Sequence, residues 1–391
     1  MSRRTSNLSV EVTGGRAKAR PRARELGVPF EGAPGRLNAI TDVRGVEVGF
    51  TTLLSGRGNR AAGQRPVRTG VTAILPRGKT LLDPVFAGWF SLNGRGEMTG
   101  TTWVEESGFL EGPIMITNTH SVGVVRDAVI AWQVKHGEAA GSKPWFSLPI
   151  VAETYDGYLN DLNGFHVHPK DVFHAIDTAK SGPVEEGNVG GGTGMICYEL
   201  KGGTGTASRK LGSRFGGYTV GALVQCNCGR REQLRIAGVP VGLEIPGEKL
   251  FGTDLEEKDK DTGSIIIVLA TDAPLIPVQL KRLARRASLG LARTGSVSGN
   301  NSGDIFIAFS TANRRSGRPT RLDQIKMLPN DQMDPLFSAT VEATEEAIVN
   351  ALVAAKTMTG INNHIVHALP HEELRQVLKK YHRLVESQDR K

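Results

Sequence analysis

Cysteine is scarce in this chain, long apolar runs are missing, and acidic residues nearly vanish from its first stretch. The three cysteines, Cys197, Cys226 and Cys228, are too few for a disulfide framework. Cys226 and Cys228 form a lone C-x-C with no second pair, which argues against a structural zinc site. They read as small hydrophobes packed at strand ends, suited to a reducing compartment. No run approaches the roughly 18 uninterrupted apolar residues of a membrane helix. Arg3 and Arg4 lead into polar residues rather than the apolar core of a secretion signal, so a soluble, cytoplasmic protein without a membrane partner is expected. Histidines do not cluster at metal-ligand spacing: His166 and His168 are two apart, and His364 and His367 precede a terminal helix. No metal and no cofactor is expected.

The shortage of acid is local. Residues 1–24 carry seven basic side chains (Arg3, Arg4, Arg16, Lys18, Arg20, Arg22, Arg24) against Glu11, which accounts for +6 of the net +8. The other 367 residues are close to neutral. The basicity therefore belongs to a solvated tail over 1–36, and binding of nucleic acid by the body is not expected. The body is 39% hydrophobic and 23% charged across the whole count, ample for a large globular core.

From Leu37 onward, β-like runs alternate with helical ones. Short runs rich in β-branched and aromatic residues predict strands over 70–75, 85–92, 114–117, 146–152, 193–199, 218–225, 265–271 and 304–310. Helical periodicity predicts helices over 122–136, 169–180, 277–293, 335–357 and 371–384. In the helix over 277–293, Leu280, Leu283, Ala287 and Leu291 share one face while Lys281, Arg282, Arg285 and Arg286 share another, which predicts a core helix with a wet basic side.

One segment departs from this texture. Residues 253–262 read TDLEEKDKDT, with seven charges in ten positions, and Gly263 then leads straight into Ser264 and the run IIIVLA. An exposed tether thus enters a strand of core composition at a Gly-Ser junction. Gly-Ser occurs four times here, at Ser142, Ser213, Ser264 and Ser296, so the dipeptide alone singles out nothing. The tether and the strand distinguish Ser264. A strand-start hydroxyl can attack the carbonyl before it when the preceding glycine allows a strained approach. The amide becomes an ester, water cleaves it, and the freed α-amine is then a base beside its own nucleophile, with a pKa of about 7.7–8.0.

The residues around that junction resemble the L-aminopeptidase/D-esterase and β-peptidyl aminopeptidase family. GSIIIVLATDAPLIPVQLKRLARRASLGLARTG with SGNNSGDIFIAFSTAN looks like the start of its β-subunit. GTTWVEESGFLEGPIMITNTHSVG, SLPIVAETYDGYLND, GNVGGGTGMICYELKGGTGTASR and GALVQCN are similar to its upstream segments, over residues 37–359. The resemblance implies a four-layer α-β-β-α sandwich made of an α-part over 37–263 and a β-part over 264–391. It implies cleavage between Gly263 and Ser264, with Ser264 as nucleophile and Ser302 as a second catalytic serine that handles the new amine's proton. Asp304 falls where a carboxylate steadies that serine, although a family member carries the longer glutamate there. Asn227 corresponds to the oxyanion donor and Tyr155 to a hydroxyl of the pocket. A tetramer of cleaved αβ heterodimers is implied as well.

The implied substrate is a small peptide or amide with a free amine, which calls for a negative or carbonyl-rich recess. Glu106, Glu138 and Glu153 are candidates. The glycine-rich run Gly190–Gly194 lacks the Gly-Lys-Ser/Thr ending of a phosphate loop, as does Lys201-Gly202-Gly203, so nucleotide binding is not expected. Three rival readings are an arginine-biosynthesis acyltransferase of the same architecture, a non-enzymatic binding relative, and a polyanion binder acting through the tail. The first carries an Ala-Thr type of junction, which Gly263-Ser264 does not match. Intact Ser264, Ser302 and Asn227 speak against the second.

Overall fold

The computed structural model of the chain describes residues 21–59, 62–79, 83–136, 146–245, 247, 250, 263–314, 322 and 324–386. In chain order the principal elements begin with β1 (Glu47–Ser55), β2 (Val67–Lys79), β3 (Val85–Ser91), α1 (Thr101–Ser107) and β4 (Phe109–Leu110). Next come β5 (Ile114–Asn118), α2 (Val122–Lys135), β6 (Ile150–Thr154) and α3 (Pro169–Asp177). After short pairs at Ile196–Cys197 and Leu200–Lys201, the chain forms β7 (Gly203–Lys210), β8 (Thr219–Asn227) and β9 (Ser264–Thr271). It ends with α4 (Pro277–Arg293), β10 (Gly303–Ser310), α5 (Asp334–Ala354) and α6 (His371–Lys380).

Two sheets result. The smaller runs β1-β2-β5-β6, and the larger runs β4-β3-β10-β9-β8-β7. Alternation along each central strand decides which layer each side chain enters. In β9, Ile265, Ile267 and Leu269 join Leu280, Leu283 and Ala347 of the α4 and α5 layer. Ile266, Val268 and Ala270 point the other way and meet Ile116, Ile150 and Ala152 of the smaller sheet. A third cluster places Val129 and Trp132 of α2 and Val172 and Ile176 of α3 against Val71, Met115 and Val151. The layers are therefore α2/α3, small sheet, large sheet and α4/α5, the expected four-layer sandwich. All eight residues of β9 are buried, which explains its unbroken apolar run.

Several expectations need correction. Residues 193–199 do not form one strand: Gly190–Gly194 make a buried 3-10 turn and only Ile196–Cys197 pair. Phe146 is exposed and β6, buried at all five positions, starts only at Ile150. The basic face of α4 is not simply wet, since Arg286 lies 3.9 Å from the Phe337 ring centre and Arg285 lies over Phe90. The three thiols are buried, as expected.

The tail also ends sooner than its charge suggests. Ala23, Leu26 and Val28 are buried in the large-sheet core. Arg22 pairs with Glu186 at 2.8 Å, and Arg24 pairs with Glu346 at 2.8 Å. Glu346 is the hub of this anchor. It also accepts from Arg209 at 2.8 Å, and both side chains are 1% exposed. Removing one member of a buried pair leaves the other uncompensated, which typically costs about 3–5 kcal/mol. Glu346→Ala is therefore expected to lower stability by about that amount, read as a fall in the midpoint of denaturant unfolding.

Candidate active site

Strand register builds the site. β8 runs antiparallel to β9 and sets Asn227 opposite Ser264. β10 runs parallel to β9 and sets Gly303 opposite the same serine. Ser264 thus starts the strand between two neighbours whose ends coincide with its own. The main-chain N–H of Gly303 donates to Ser264 Oγ at 3.2 Å. An added Cβ on Gly303 would sit 2.4 Å from the Arg95 carbonyl oxygen, so only glycine lets the 95–96 backbone come this close. Gly263 is held as tightly, where a Cβ would lie 2.6 Å from the Asn227 carbonyl oxygen and 2.5 Å from Cys228 Cα.

Behind Ser264 lies a hydrogen-bonded pair on one face of the neighbouring strand. Ser302 Oγ donates to Asp304 Oδ1 at 2.7 Å, and the N–H of Ile265 donates to the same oxygen at 3.1 Å. Asp304 is fully buried and Ser302 is 1% exposed. Asn93 locks this corner. Its Oδ1 accepts from the Asp304 N–H at 2.7 Å, and its Nδ2 donates to the carbonyls of Ser298 and Gly299. The aspartate therefore reaches both Ser302 and the residue after Ser264 despite its short side chain.

Asn227 is oriented just as firmly. Its Oδ1 accepts from the N–H of Ile196 at 2.8 Å, so the carboxamide NH₂ lies on the opposite side. Ser264, Gly263, Asn227 and Tyr155 all line one cavity of about 760 Å³, together with Glu153 and Arg95. Ser302 and Asp304 stand outside its lining and reach it through β9. Tyr155 is half exposed, and its hydroxyl is pushed up first by burial and then by the neighbouring Asp156 charge.

Of the two acidic candidates among the described residues, Glu153 is brought to this cavity and Glu106 is not. Glu153 is the penultimate residue of β6, 4% exposed, and accepts from the Glu97 N–H at 3.1 Å and from Thr119 Oγ1. Burial pushes its carboxyl up, against the lowering effect of those two hydrogen bonds. Glu106 is exposed on α1 and does not line the cavity. Glu138 and the 253–262 tether lie outside the described residues. Arg95, Arg230 and His364 also reach the cavity and had no sequence signal, since each arrives from a separate part of the chain. The arrangement supplies a hydroxyl on a fixed strand, amide donors beside it and a buried carboxylate across the cavity, which suits acyl transfer from a substrate bearing a cation.

Peptidase family S58 matches residues 38–366. The beta-peptidyl aminopeptidase BapA of Sphingosinicella microcystinivorans is 55% identical over 382 residues, covering 95% of this chain and 96% of that protein. The enzyme of the same name from Sphingosinicella xenopeptidilytica is 50% identical over 383 residues, covering 95% and 94%. The L-aminopeptidase D-Ala-esterase/amidase of Ochrobactrum anthropi, described as a prototype of serine aminopeptidases and a variant of the Ntn hydrolase fold, superposes with a TM-score of 0.86 at 50% identity, over 93% of this chain and 100% of that one. A Burkholderia sp. beta-aminopeptidase superposes at 0.83 with 47% identity, over 92% and 99%.

One buried acid beside the cavity gives a pH test. Asp156 follows Tyr155, is 1% exposed, and accepts from Asn160 Nδ2 at 3.1 Å. Burial pushes its carboxyl up to about 7 from an ordinary 3.8, against lowering hydrogen bonds. The folded state thus holds a proton that the unfolded chain has released. Stability from this group is fully present below about pH 3.8 and is lost as pH rises through about 7. An amide mimics the protonated acid, so Asp156→Asn is expected to gain on the native protein as pH is raised from 5 to 8. Denaturant midpoints compared across that range check it; a constant difference would contradict it.

Proposed function

The chain belongs to peptidase family S58, and we propose that it is a self-cleaving serine aminopeptidase acting through Ser264. The observation that carries this reading is the placement of Ser264 at the head of a buried central strand, between Asn227 and the Gly303 N–H, facing a cavity that also holds Glu153. In the continuous chain the nitrogen of Ser264 is an amide and cannot serve as a base. Attack of Ser264 Oγ on the Gly263 carbonyl carbon forms the ester as the carbon–nitrogen bond breaks, and the hydroxyl proton passes to the departing nitrogen. Water then hydrolyses the ester, leaving a carboxylate on Gly263 and a free amine on Ser264.

The amine next accepts the Oγ proton as that oxygen attacks a substrate carbonyl, and later gives it to the leaving amine. Water removes the acyl group from Ser264 in the second half of the cycle. Asn227 Nδ2 is the donor suited to stabilise the oxyanion, while the Gly303 N–H holds Ser264 Oγ. Ser302, held by Asp304, is suited to accept a hydrogen bond from the Ser264 amine and to pass its proton. Tyr155 supplies a hydroxyl at the cavity wall. Glu153 binds the substrate's ammonium, which makes the enzyme take peptides from the amino end.

The names of the relatives guide the choice of substrate class. Two relatives at 55% and 50% identity are named for β-peptides, and one structure at 50% identity for L-amino-acid and D-alanine derivatives. We assign small N-terminal residues, alanine or β-alanine, to this chain. Assembly as a tetramer of αβ heterodimers completes the reading. Among the described residues no helix is long and apolar enough to cross a membrane. We place the enzyme in the cytoplasm, whose reducing conditions suit three buried free thiols.

Two outcomes test the mechanism. Intact mass should show two polypeptides, the smaller starting Ser-Ile-Ile-Ile, while Ser264→Ala stays one inactive chain; a fully active enzyme that remains a single chain refutes the self-cleavage step. Amides of L-Ala, D-Ala and β-Ala should be hydrolysed only with a free amine, and Glu153→Gln should raise KM more than it lowers kcat. Equal turnover of the N-acetylated controls would overturn the aminopeptidase assignment.

A further inference from the structure

Lys201 is fully buried, and among the described residues no carboxylate pairs with it. Its ammonium donates instead to two main-chain carbonyls, Met195 at 2.8 Å and Gly202 at 3.0 Å. An ammonium taken out of water is costly unless its protons are fully used, so a lysine in this place calls for a reason. The reason lies in what the Met195 carbonyl is attached to. That carbonyl and the Ile196 N–H belong to one peptide group. On its oxygen side the group accepts from Lys201 Nζ and from the Gly202 N–H at 2.9 Å. On its nitrogen side it donates to Asn227 Oδ1 at 2.8 Å. A continuous run therefore leads from a buried positive charge, through one peptide and one carboxamide, to the cavity at Ser264.

We infer that Lys201 is a positioning residue for Asn227: acting through the Met195–Ile196 peptide group, it fixes the carboxamide with its NH₂ toward the cavity and strengthens that donor. The inference rests on the functional reading given above, in which Asn227 meets the oxyanion. Physically it is a chain of hydrogen bonds that polarise one another in a medium of low dielectric. The cation draws electron density toward the Met195 oxygen, which makes the Ile196 N–H a better donor. That bond in turn pulls density toward Asn227 Oδ1 and leaves the Nδ2 protons more positive. The effect is largest when negative charge develops on the substrate oxygen, so it acts on the transition state more than on the bound substrate.

The charge is also conditional. Burial pushes the Lys201 ammonium down to about 7, and the neighbouring Cys197 thiol acts in the opposite direction. Cys228 lies 3.9 Å beyond Cys197, and the Cys228 and Cys226 thiols are themselves pushed well up, so they stay neutral. His367 meets Lys201 only through its main-chain carbonyl, which accepts the Lys201 N–H. Lys201 thus carries its charge below about pH 7 and loses it above, whereas the Ser264 amine must lose its proton to work.

The test uses the matured full chain with Lys201→Met and Lys201→Gln, alone and combined with Asn227→Ala. Expected is a fall in kcat of roughly ten- to a hundredfold, bounded by the 10²–10³ loss typical of removing an oxyanion donor outright, with KM within about twofold. The descending limb of kcat above about pH 7 should disappear in both variants. In the Asn227→Ala background the lysine change should cost almost nothing further, because its route is gone. Native kcat in the single variants, or losses that multiply in the double variants, would overturn the proposal. A packing role alone would lower the melting temperature but leave the pH limb in place. If neither variant folds, an experimental structure of the native enzyme decides: the run from Lys201 Nζ to the Met195 carbonyl and from the Ile196 N–H to Asn227 Oδ1 supports the role when present, and its absence removes it. Failure of the native enzyme to hydrolyse any free-amine substrate would remove the functional reading itself, whereas normal kcat in the variants strikes only at Lys201.

Discussion

Strand register is the constraint on which everything else in this molecule rests. Ser264 has no histidine partner, so its chemistry depends on which backbone and side-chain groups the neighbouring strands deliver to it. An antiparallel partner on one side delivers Asn227 and a parallel partner on the other delivers Gly303. A slip of one residue in either pairing would turn the adjacent side chains to the opposite face. Isoleucines at 265, 266 and 267 resist such a slip, because they fill two different layers of core at once. The apolar run after the serine and the geometry of the site are one physical fact.

Around that register the protein buries an unusual set of polar and charged groups, and each does structural work that an apolar residue would not. Arg209 and Glu346 tie residues 22–38 to α5 and β7. Gln225 spans the two sheets, its Nε2 donating to the Thr117 carbonyl and to Thr154 Oγ1. Asn93 holds the corner that carries Ser302 and Asp304. Such groups cost desolvation and return a fixed geometry. Orientation of Asn227 by a peptide group under Lys201 belongs to the same pattern.

Much of this was legible before any coordinates. Period and composition located all the long helices and the strands that carry Ser264, Asn227 and Asp304, since apolar runs bounded by glycine and proline report burial directly. Other features were not. The segment over 193–199 has strand composition, yet its first two residues close a buried 3-10 turn, Gly190–Gly194, against β2 and β7. The strands Glu47–Ser55 and Gly203–Lys210 were missed because threonine, glycine and lysine dilute their patterns. Charge suggested a tail through residue 36, but Arg22 and Arg24 find buried acids far along the chain, which no local signal encodes.

The sequence by itself determined that a charged stretch meets a strand of core composition at Gly263-Ser264, and its periodicity located the long helices and the central strands; the four layers came from the family resemblance. The sequence proposed three acids for the substrate amine and could not choose. Tertiary structure separates the two that lie among the described residues: Glu153, near the end of a strand in the facing sheet, lines the cavity, and Glu106 sits on an exposed helix turn. Tertiary structure alone also joined Lys201 to Asn227 and gave Asn93 its part. Periodicity says which way a side chain points relative to its own element. Which partner it meets depends on how two sheets stack, and that is set by contacts between residues hundreds of positions apart.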